Sequence, residues 1–331
     1  MKKFLIIQTA FIGDVILATS LLEKLHQFKI EKIDFLLRKG NEGLLVNHPF
    51  LNKIYIWDKK NNKYSGLFSI IADIRKEKYD YVINLQRFFS TGLITALSGA
   101  KTKIGFQKNP LSFLFTLRYP HVIDVNSNIH EIQRNMLLLE TLVDDNIVPN
   151  PKLYPSNADF VKIQGQKPYV TISPTSVWFT KQYPLNKWVD VVNTIDSSIT
   201  IYLLGAKNDA DICEYLKTQT SHPNVEVMAG KLTFLESAAL MSSAEMNFTN
   251  DSAPMHLSSA MNAPVTAIFC STVPAFGFGP LSDTSKIVEI PFKLSCRPCG
   301  LHGYKVCPQK HFKCSEITSK AIIGNISTII R

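Results

Sequence analysis

The sequence predicts an α/β protein made of two doubly wound, Rossmann-like halves in which parallel strands alternate with helices. Three observations predict it. Residues 3–7 form a short apolar run, and a turn leads from it into Val15, Ile16, Leu17, Leu21, Leu22 and Leu25 at helical spacing. Between Val148 and Pro168 four prolines fall among polar residues with little periodicity, and residues 169–173 then restart a strand. Residues 246–250 read as a buried strand that ends in Asn250, Asp251 and Ser252, with a helix opening near Pro254.

The totals agree with two cores. The chain has 331 residues, of which 45% are apolar, enough to fill two domains. The net charge of +9 favours anionic partners: a nucleotide diphosphate, an acidic glycolipid, the anionic face of a membrane, or nucleic acid. No nucleic-acid-binding module accompanies the basic residues, which are spread along the chain without a long block. The opening run Met1-Lys-Lys-Phe-Leu-Ile-Ile is interrupted by Gln8, Thr9 and Asp14 before a signal-peptide core develops. No run approaches the roughly 18 apolar residues that span a bilayer. The expectation is a cytoplasmic protein, with contact at the inner face of the inner membrane as a further expectation.

In the first half, expected over residues 1–150, the turn after the first strand carries one glycine, Gly13, and so lacks the dinucleotide fingerprint. Asp14 follows it; read alone, the pair is a helix N-terminus with an acidic first turn, where the helix dipole keeps a carboxylate ionised. Residues 33–37, 54–57 and 79–85 read as further strands, with Leu67, Ile70, Ile71 and Ile74 on a helix between the last two. The third of these strands ends in Asn84, Leu85, Gln86 and Arg87. Residues 101–119 interleave basic and aromatic residues and read by default as a core hairpin or helix, with an acceptor-contacting or membrane-contacting flap next and a nucleic-acid platform last. Residues 130–139 form an amphipathic helix that closes this half.

The second half is expected over residues 165–315. Its first strand leads into Thr175, Ser176, Lys181, Tyr183, Pro184 and Trp188. Residues 200–205 form a strand ending in Gly205, with Asp209 just beyond, and residues 225–228 and 233–241 give one more strand and helix. The turn at Asp251 and Ser252 brings short polar side chains to a helix N-terminus whose free N–H groups attract an anion, a cradle for phosphate. Its bland reading is a capped strand-to-helix turn. Residues 264–269 are a second apolar strand, and ligands of open parallel sheets collect beyond such strand ends. Cys296, Cys299, Cys307 and Cys314, with His302 and His311 among them, have spacing compatible with a structural zinc site, while packed free thiols are the other reading. A last helix over residues 316–330 is expected to cross back to the first half.

These motifs together resemble the ADP-heptose:lipopolysaccharide heptosyltransferases, glycosyltransferase family 9. The matches are Ile12-Gly13-Asp14-Val15-Ile16, the strand ending at Leu85-Gln86, Lys181-x-Tyr183-Pro184 with Trp188 four residues on, and Asp251-Ser252-Ala253 with His256 on the helix. Three positions depart from the family pattern: Asn84 replaces an Asp, Arg87 a common Gly, and Ala253 a Gly. The resemblance covers essentially the whole chain and implies a GT-B fold, two Rossmann-like domains facing each other across a cleft.

It further implies an inverting, metal-independent transfer of heptose from ADP-heptose to the Kdo-containing inner core of lipopolysaccharide, with no cofactor. Asp14 is then the general base. Gly13, Gln86 and Arg87 lie on the acceptor side. Thr175, Ser176, Lys181, Asp209, Asp251, Ser252, Ala253 and His256 lie on the donor side, with Lys181 on the diphosphate and Asp209 near the ribose. Another nucleotide sugar, or a sugar-nucleotide epimerase of similar fold, is the alternative. A non-catalytic module that binds acidic surfaces is a third reading.

Overall fold

The computed structural model describes residues 2–28, 30–61, 64–162 and 168–324. The chain divides into two compact units: residues 1–124 with 129–154, and residues 125–128 with 155–331.

The first unit runs β1 (Lys2–Ile7), α1 (Ile12–Leu25), β2 (Ile30–Arg38), β3 (Lys53–Trp57), α2 (Ser65–Glu77), β4 (Tyr81–Asn84), α3 (Phe89–Leu97), β5 (Thr102–Phe106), β6 (Leu117–Tyr119) and α4 (Glu131–Met136). Its six strands are all parallel, in the order β3-β2-β1-β4-β5-β6. The second unit runs α5 (Asn157–Lys162), β7 (Tyr169–Ser173), α6 (Leu185–Thr194), β8 (Thr200–Leu203), α7 (Ala210–Gln219), β9 (Val225–Val227), α8 (Phe234–Ser242), β10 (Met246–Asn250), α9 (Ala253–Ala260), β11 (Val265–Ile268), β12 (Ser285–Val288) and α10 (Ser319–Ile323). Its sheet, β12-β11-β10-β7-β8-β9, is again all parallel.

Both sheets therefore have the same internal order. In each, the first strand of the unit lies beside the fourth, and the chain winds outward in both directions from that pair. The pairs are β1 with β4 and β7 with β10. At such a switch point the loops leaving adjacent strands part to opposite faces of the sheet and open a crevice at the strands' carboxyl ends.

Burial explains why these segments are strands. Every residue of β7, β8, β10 and β11 is buried, as expected where helices cover both faces of a parallel sheet. The second core gathers Val170, Ile172, Trp188, Ile201, Leu203 and Phe248. Helix α8 starts where local chemistry dictates, at a reciprocal capping box: Thr233 accepts the Glu236 N–H at 3.2 Å and Glu236 accepts the Thr233 N–H at 2.7 Å.

Four departures from the sequence reading have physical causes. Residues 101–119 form neither a hairpin nor a helix but two parallel strands, β5 and β6, joined by a loop containing a short 3-10 turn. The proline-rich stretch contains α5, which lacks the apolar periodicity that would announce a helix. Strand β12 is partly exposed and carries Lys286, so no continuous apolar run marks it. The last helix begins at Ser319, where the Thr318 hydroxyl caps it, and packs within the second unit on α6. Residues 325–330 of that expected helix lie outside the described residues.

The second switch point is tied together by one side chain. Asn250, fully buried at the end of β10, accepts the Tyr183 N–H at 2.9 Å and donates to the Pro174 carbonyl at 2.9 Å. It thus fixes both ends of the loop that leaves β7. Asn250→Ala strands a buried N–H and a buried C=O, each costing about 1–3 kcal/mol. A loss of roughly 2–4 kcal/mol in chemical denaturation is expected, whereas an unchanged midpoint would show that the loop holds itself.

Candidate active site

At the first switch point, β1 ends at Ile7 opposite Asn84 of β4. The turn is Gln8–Phe11, and Gly13 and Asp14 already belong to the first turn of α1. Asp14 occupies the third helical position, and its carboxylate accepts the Phe11 N–H at 3.2 Å. The sequence reading expected the helix N-terminus to dominate this carboxyl, but burial dominates. Burial raises its pKa to about 6, with a further push from the negative charge of Glu131, while the backbone N–H bonds and Arg38 pull it back.

Glu131 was not anticipated as part of the site. It begins α4, which packs against α1. Burial opposes its charge, yet its hydrogen bond with His121 at 3.0 Å and its contact with Arg134 at 2.7 Å hold its pKa below the ordinary value. A buried anion is thereby kept charged near Asp14. The sequence signal available was an acid and an arginine three residues apart on one short helix.

Gln86 is buried beyond β4 and donates its amide N–H to the Oε1 of Gln8, linking the loops after β1 and β4. Its own Oε1 is a buried acceptor with no protein donor among the described residues. Asn84, where the family pattern has Asp, accepts the Gln86 N–H at 2.8 Å and donates to the Thr95 hydroxyl at 2.9 Å. Thr95 spends its own proton on the Thr91 carbonyl, so an Asp at 84 could not make both bonds. Arg87 is exposed, with its guanidinium 5.7 Å from the Phe88 ring. Lys59, which the sequence reading passed over, reaches back from the end of β3 to the Thr9 carbonyl at 3.1 Å and hydroxyl at 2.9 Å. Burial and then Arg38 lower its pKa to about 8.

At the second switch point, the loop after β7 carries Thr175 and Ser176, both half-buried, and then a 3-10 turn, Phe179–Lys181. Lys181 meets Asp251 at 2.7 Å, and the Thr272 hydroxyl donates to the same Asp251 carboxylate at 2.5 Å. Asp251 is buried, so its direct work in this structure is to hold Lys181 and Thr272. Ser252 is the N-cap residue of α9 but makes no side-chain capping bond, and Pro254 lies in the first helical turn. Ala253 opens the helix and is not among the residues with positive φ, so the backbone there asks for no glycine. His256 is buried one turn into α9.

Asp209 stands apart from these residues. Its carboxylate accepts the Ala206 N–H at 2.8 Å and closes the turn after β8, so it serves its own loop. The four clustered cysteines are free thiols that line one cavity of about 390 Å³ together with Arg297, His311, Thr180 and Tyr304. Among the described residues no three of His, Cys, Asp and Glu are placed to hold a metal ion. Burial, and then the neighbouring thiols, raise the pKa of Cys299 and Cys314. No helix among the described residues is long and apolar enough to cross a membrane.

The first switch point thus carries a carboxylate and a buried amide acceptor, and the second carries a lysine beside a helix N-terminus. Comparison with known proteins identifies the family. The chain is 26% identical over 279 residues to lipopolysaccharide heptosyltransferase 3 of Escherichia coli, covering 79% of this chain and 82% of that one. Its fold is similar to that of a glycosyl transferase family 9 protein from Veillonella parvula, with a TM-score of 0.77, 20% identity and coverage of 87% and 85%. It is also similar to E. coli ADP-heptose lps heptosyltransferase II, with a TM-score of 0.73, 18% identity and coverage of 94% and 96%. Two parallel six-stranded sheets flanked by helices are thus the GT-B fold of these neighbours. The family model for glycosyltransferase family 9 (heptosyltransferase) matches residues 67–305, more than two thirds of the sequence, and the chain belongs to that family.

Proposed function

We propose that this heptosyltransferase moves heptose from ADP-heptose to a hydroxyl of the Kdo-containing lipopolysaccharide inner core, with inversion at the anomeric carbon. The observation that carries the donor half is the Lys181–Asp251 pair beside the start of α9. A lysine has three N–H donors and Asp251 engages one, leaving two for the diphosphate. As the glycosidic bond breaks, charge grows on the leaving ADP, and a fixed ammonium and helix N–H groups stabilise it more than they stabilise the bound donor. Ser252, Thr175 and Ser176 supply hydroxyls to the same phosphates, and Asp209 and His256 lie on the donor side of this reading. ADP-heptose is in the name of the E. coli heptosyltransferase II whose fold is similar.

Asp14 takes the acceptor proton. With a pKa near 6 it is mostly ionised at neutral pH, yet more basic than an ordinary aspartate, which suits proton abstraction as the new bond forms. The unpaired Oε1 of Gln86 and the charge of Arg87 would hold the acceptor's hydroxyl and carboxylate groups. Protein charges and dipoles supply the electrostatics in this reading, and it routes no step through a metal or cofactor. An epimerase reading would require a second acid or base at the sugar, a role for which no residue has been assigned.

Membrane contact has its own support. Phe88, Phe89, Phe113 and Leu114 are 53%, 58%, 67% and 48% exposed. Asn109 ties the two loops that carry them by donating to the Gln86 and Phe88 carbonyls at 2.9 and 3.0 Å. Arg87, Lys108 and Arg118 are exposed nearby in the sequence. Aromatic side chains beside basic ones suit the interface of an anionic bilayer, where the lipid-linked acceptor resides.

Asp14→Asn is expected to abolish transfer while leaving ADP binding intact by calorimetry; retained turnover would remove Asp14 from the mechanism. In the intact enzyme, kcat/KM should fall about tenfold per pH unit below about 6, because the base protonates there. Stability has the opposite sign. A carboxyl whose pKa is raised on folding favours the folded state below its unfolded pKa, and that contribution is lost as pH rises through the folded value. Asp14→Asn should therefore raise the thermal midpoint at pH 8 and change it least at pH 4. The double variant Phe88→Ser with Phe113→Ser should lose co-sedimentation with anionic vesicles but keep ADP affinity, and unaltered sedimentation would move the membrane surface elsewhere.

A further inference from the structure

The turn that carries Lys181 is one short 3-10 element, too small to fix a side chain by itself. Behind it lies a web of hydrogen bonds built largely from the cysteine-rich segment. Thr180, 1% exposed, donates its N–H to the Tyr304 carbonyl at 3.1 Å and accepts the Tyr304 N–H on its hydroxyl at 2.8 Å. The Ser271 hydroxyl donates to the same Thr180 oxygen at 3.0 Å, and the Ser271 carbonyl accepts the Cys299 N–H at 2.8 Å.

Gly303 allows this close approach. It has φ +73°, and a β-carbon there would lie 2.8 Å from the Thr180 hydroxyl, 3.1 Å from the Ser271 hydroxyl and 3.3 Å from Cγ of Lys181. The same segment reaches the other half of the ion pair. Arg297 donates to the carbonyls of Cys270 at 2.7 Å and Thr272 at 2.7 Å, and Thr272 is the residue whose hydroxyl holds Asp251.

We propose that Thr180, Gly303 and Arg297 are positioning residues that set the Lys181–Asp251 pair, and that the cysteine-rich segment serves the donor site as its rigid backing. The inference rests on the assignment of Lys181 to the donor diphosphate. A fixed ammonium is worth more to a charge that develops in the transition state than a mobile one, and a displacement of about 1 Å can cost on the order of 100-fold in rate. Thr180→Val keeps the shape of the side chain but removes its hydroxyl, whereas Thr180→Ser keeps the hydroxyl.

The test has two parts. Calorimetry with ADP and steady-state kinetics with ADP-heptose should show Thr180→Val weakened about 10–100-fold in ADP affinity and donor kcat/KM. The acceptor KM should be unchanged, and Thr180→Ser should lie close to the parent enzyme. Gly303→Ala should behave as Thr180→Val does. Crystal structures of Thr180→Val and the parent enzyme, which need no donor, should show the parent contact of 2.7 Å between Lys181 and Asp251 opened beyond about 4 Å in the variant. A folded Thr180→Val with that contact intact overturns the proposal, as does one with parental ADP affinity. Failure of the parent enzyme itself to bind ADP would sink the donor assignment instead, and the structural comparison would still decide whether the web positions the pair.

Discussion

The second switch point of this protein depends on Asn250. A parallel sheet ends in a row of carbonyls, and the loop that leaves β7 at the switch point has to be held there by something other than sheet pairing. The Asn250 side chain does so by taking one N–H and giving one to opposite ends of that loop. Lys181 lies within the loop, and Asp251 is the residue after Asn250. The backbone that presents the acid and the side chain that anchors the lysine's loop are therefore adjacent in sequence. Few degrees of freedom remain by which the ion pair could drift.

The first switch point works by a different principle. Asp14 sits where a helix dipole and a backbone N–H would keep a carboxyl acidic, yet burial and Glu131 make it more basic. Glu131 can do this only because it stays charged itself, which His121 and Arg134 ensure. Placing the supporting anion on α4 and Asp14 on α1 separates two properties that one carboxylate could not combine, a raised pKa and a permanent charge.

Much of this was legible in the sequence because the strands of a covered parallel sheet announce themselves as apolar runs, and because strand-turn-helix units place their polar turns at one edge. Asp14, Gln86, Lys181 and Ser252 are singled out by turn position together with the family resemblance of the motifs that hold them. Glu131, Lys59, Asn109 and Thr180 are not, since each acts through a partner distant in the chain and looks locally like a solvated or packed residue. Asp209 stands past a strand end, and its carboxylate also closes its own turn. The four cysteines have a metal-like spacing in the sequence. In the fold they pack beside the Thr180 web.

The Lys181–Asp251 pair raises an apparent objection to the proposed donor assignment, since a carboxylate beside a diphosphate pocket should repel the ligand. The objection fails on geometry and valence. Asp251 is buried, and its charge is met by the Lys181 ammonium and the Thr272 hydroxyl. What the pair presents outward is the positive end of a dipole with unused N–H donors. An unpaired lysine would carry more net charge but would wander on a flexible stem and be solvated by water that must then reorganise as the sugar leaves. A buried counter-ion gives up some attraction for the bound donor and gains a fixed direction for the charge. For a leaving group whose charge increases during the reaction, fixed direction is the larger contribution to rate.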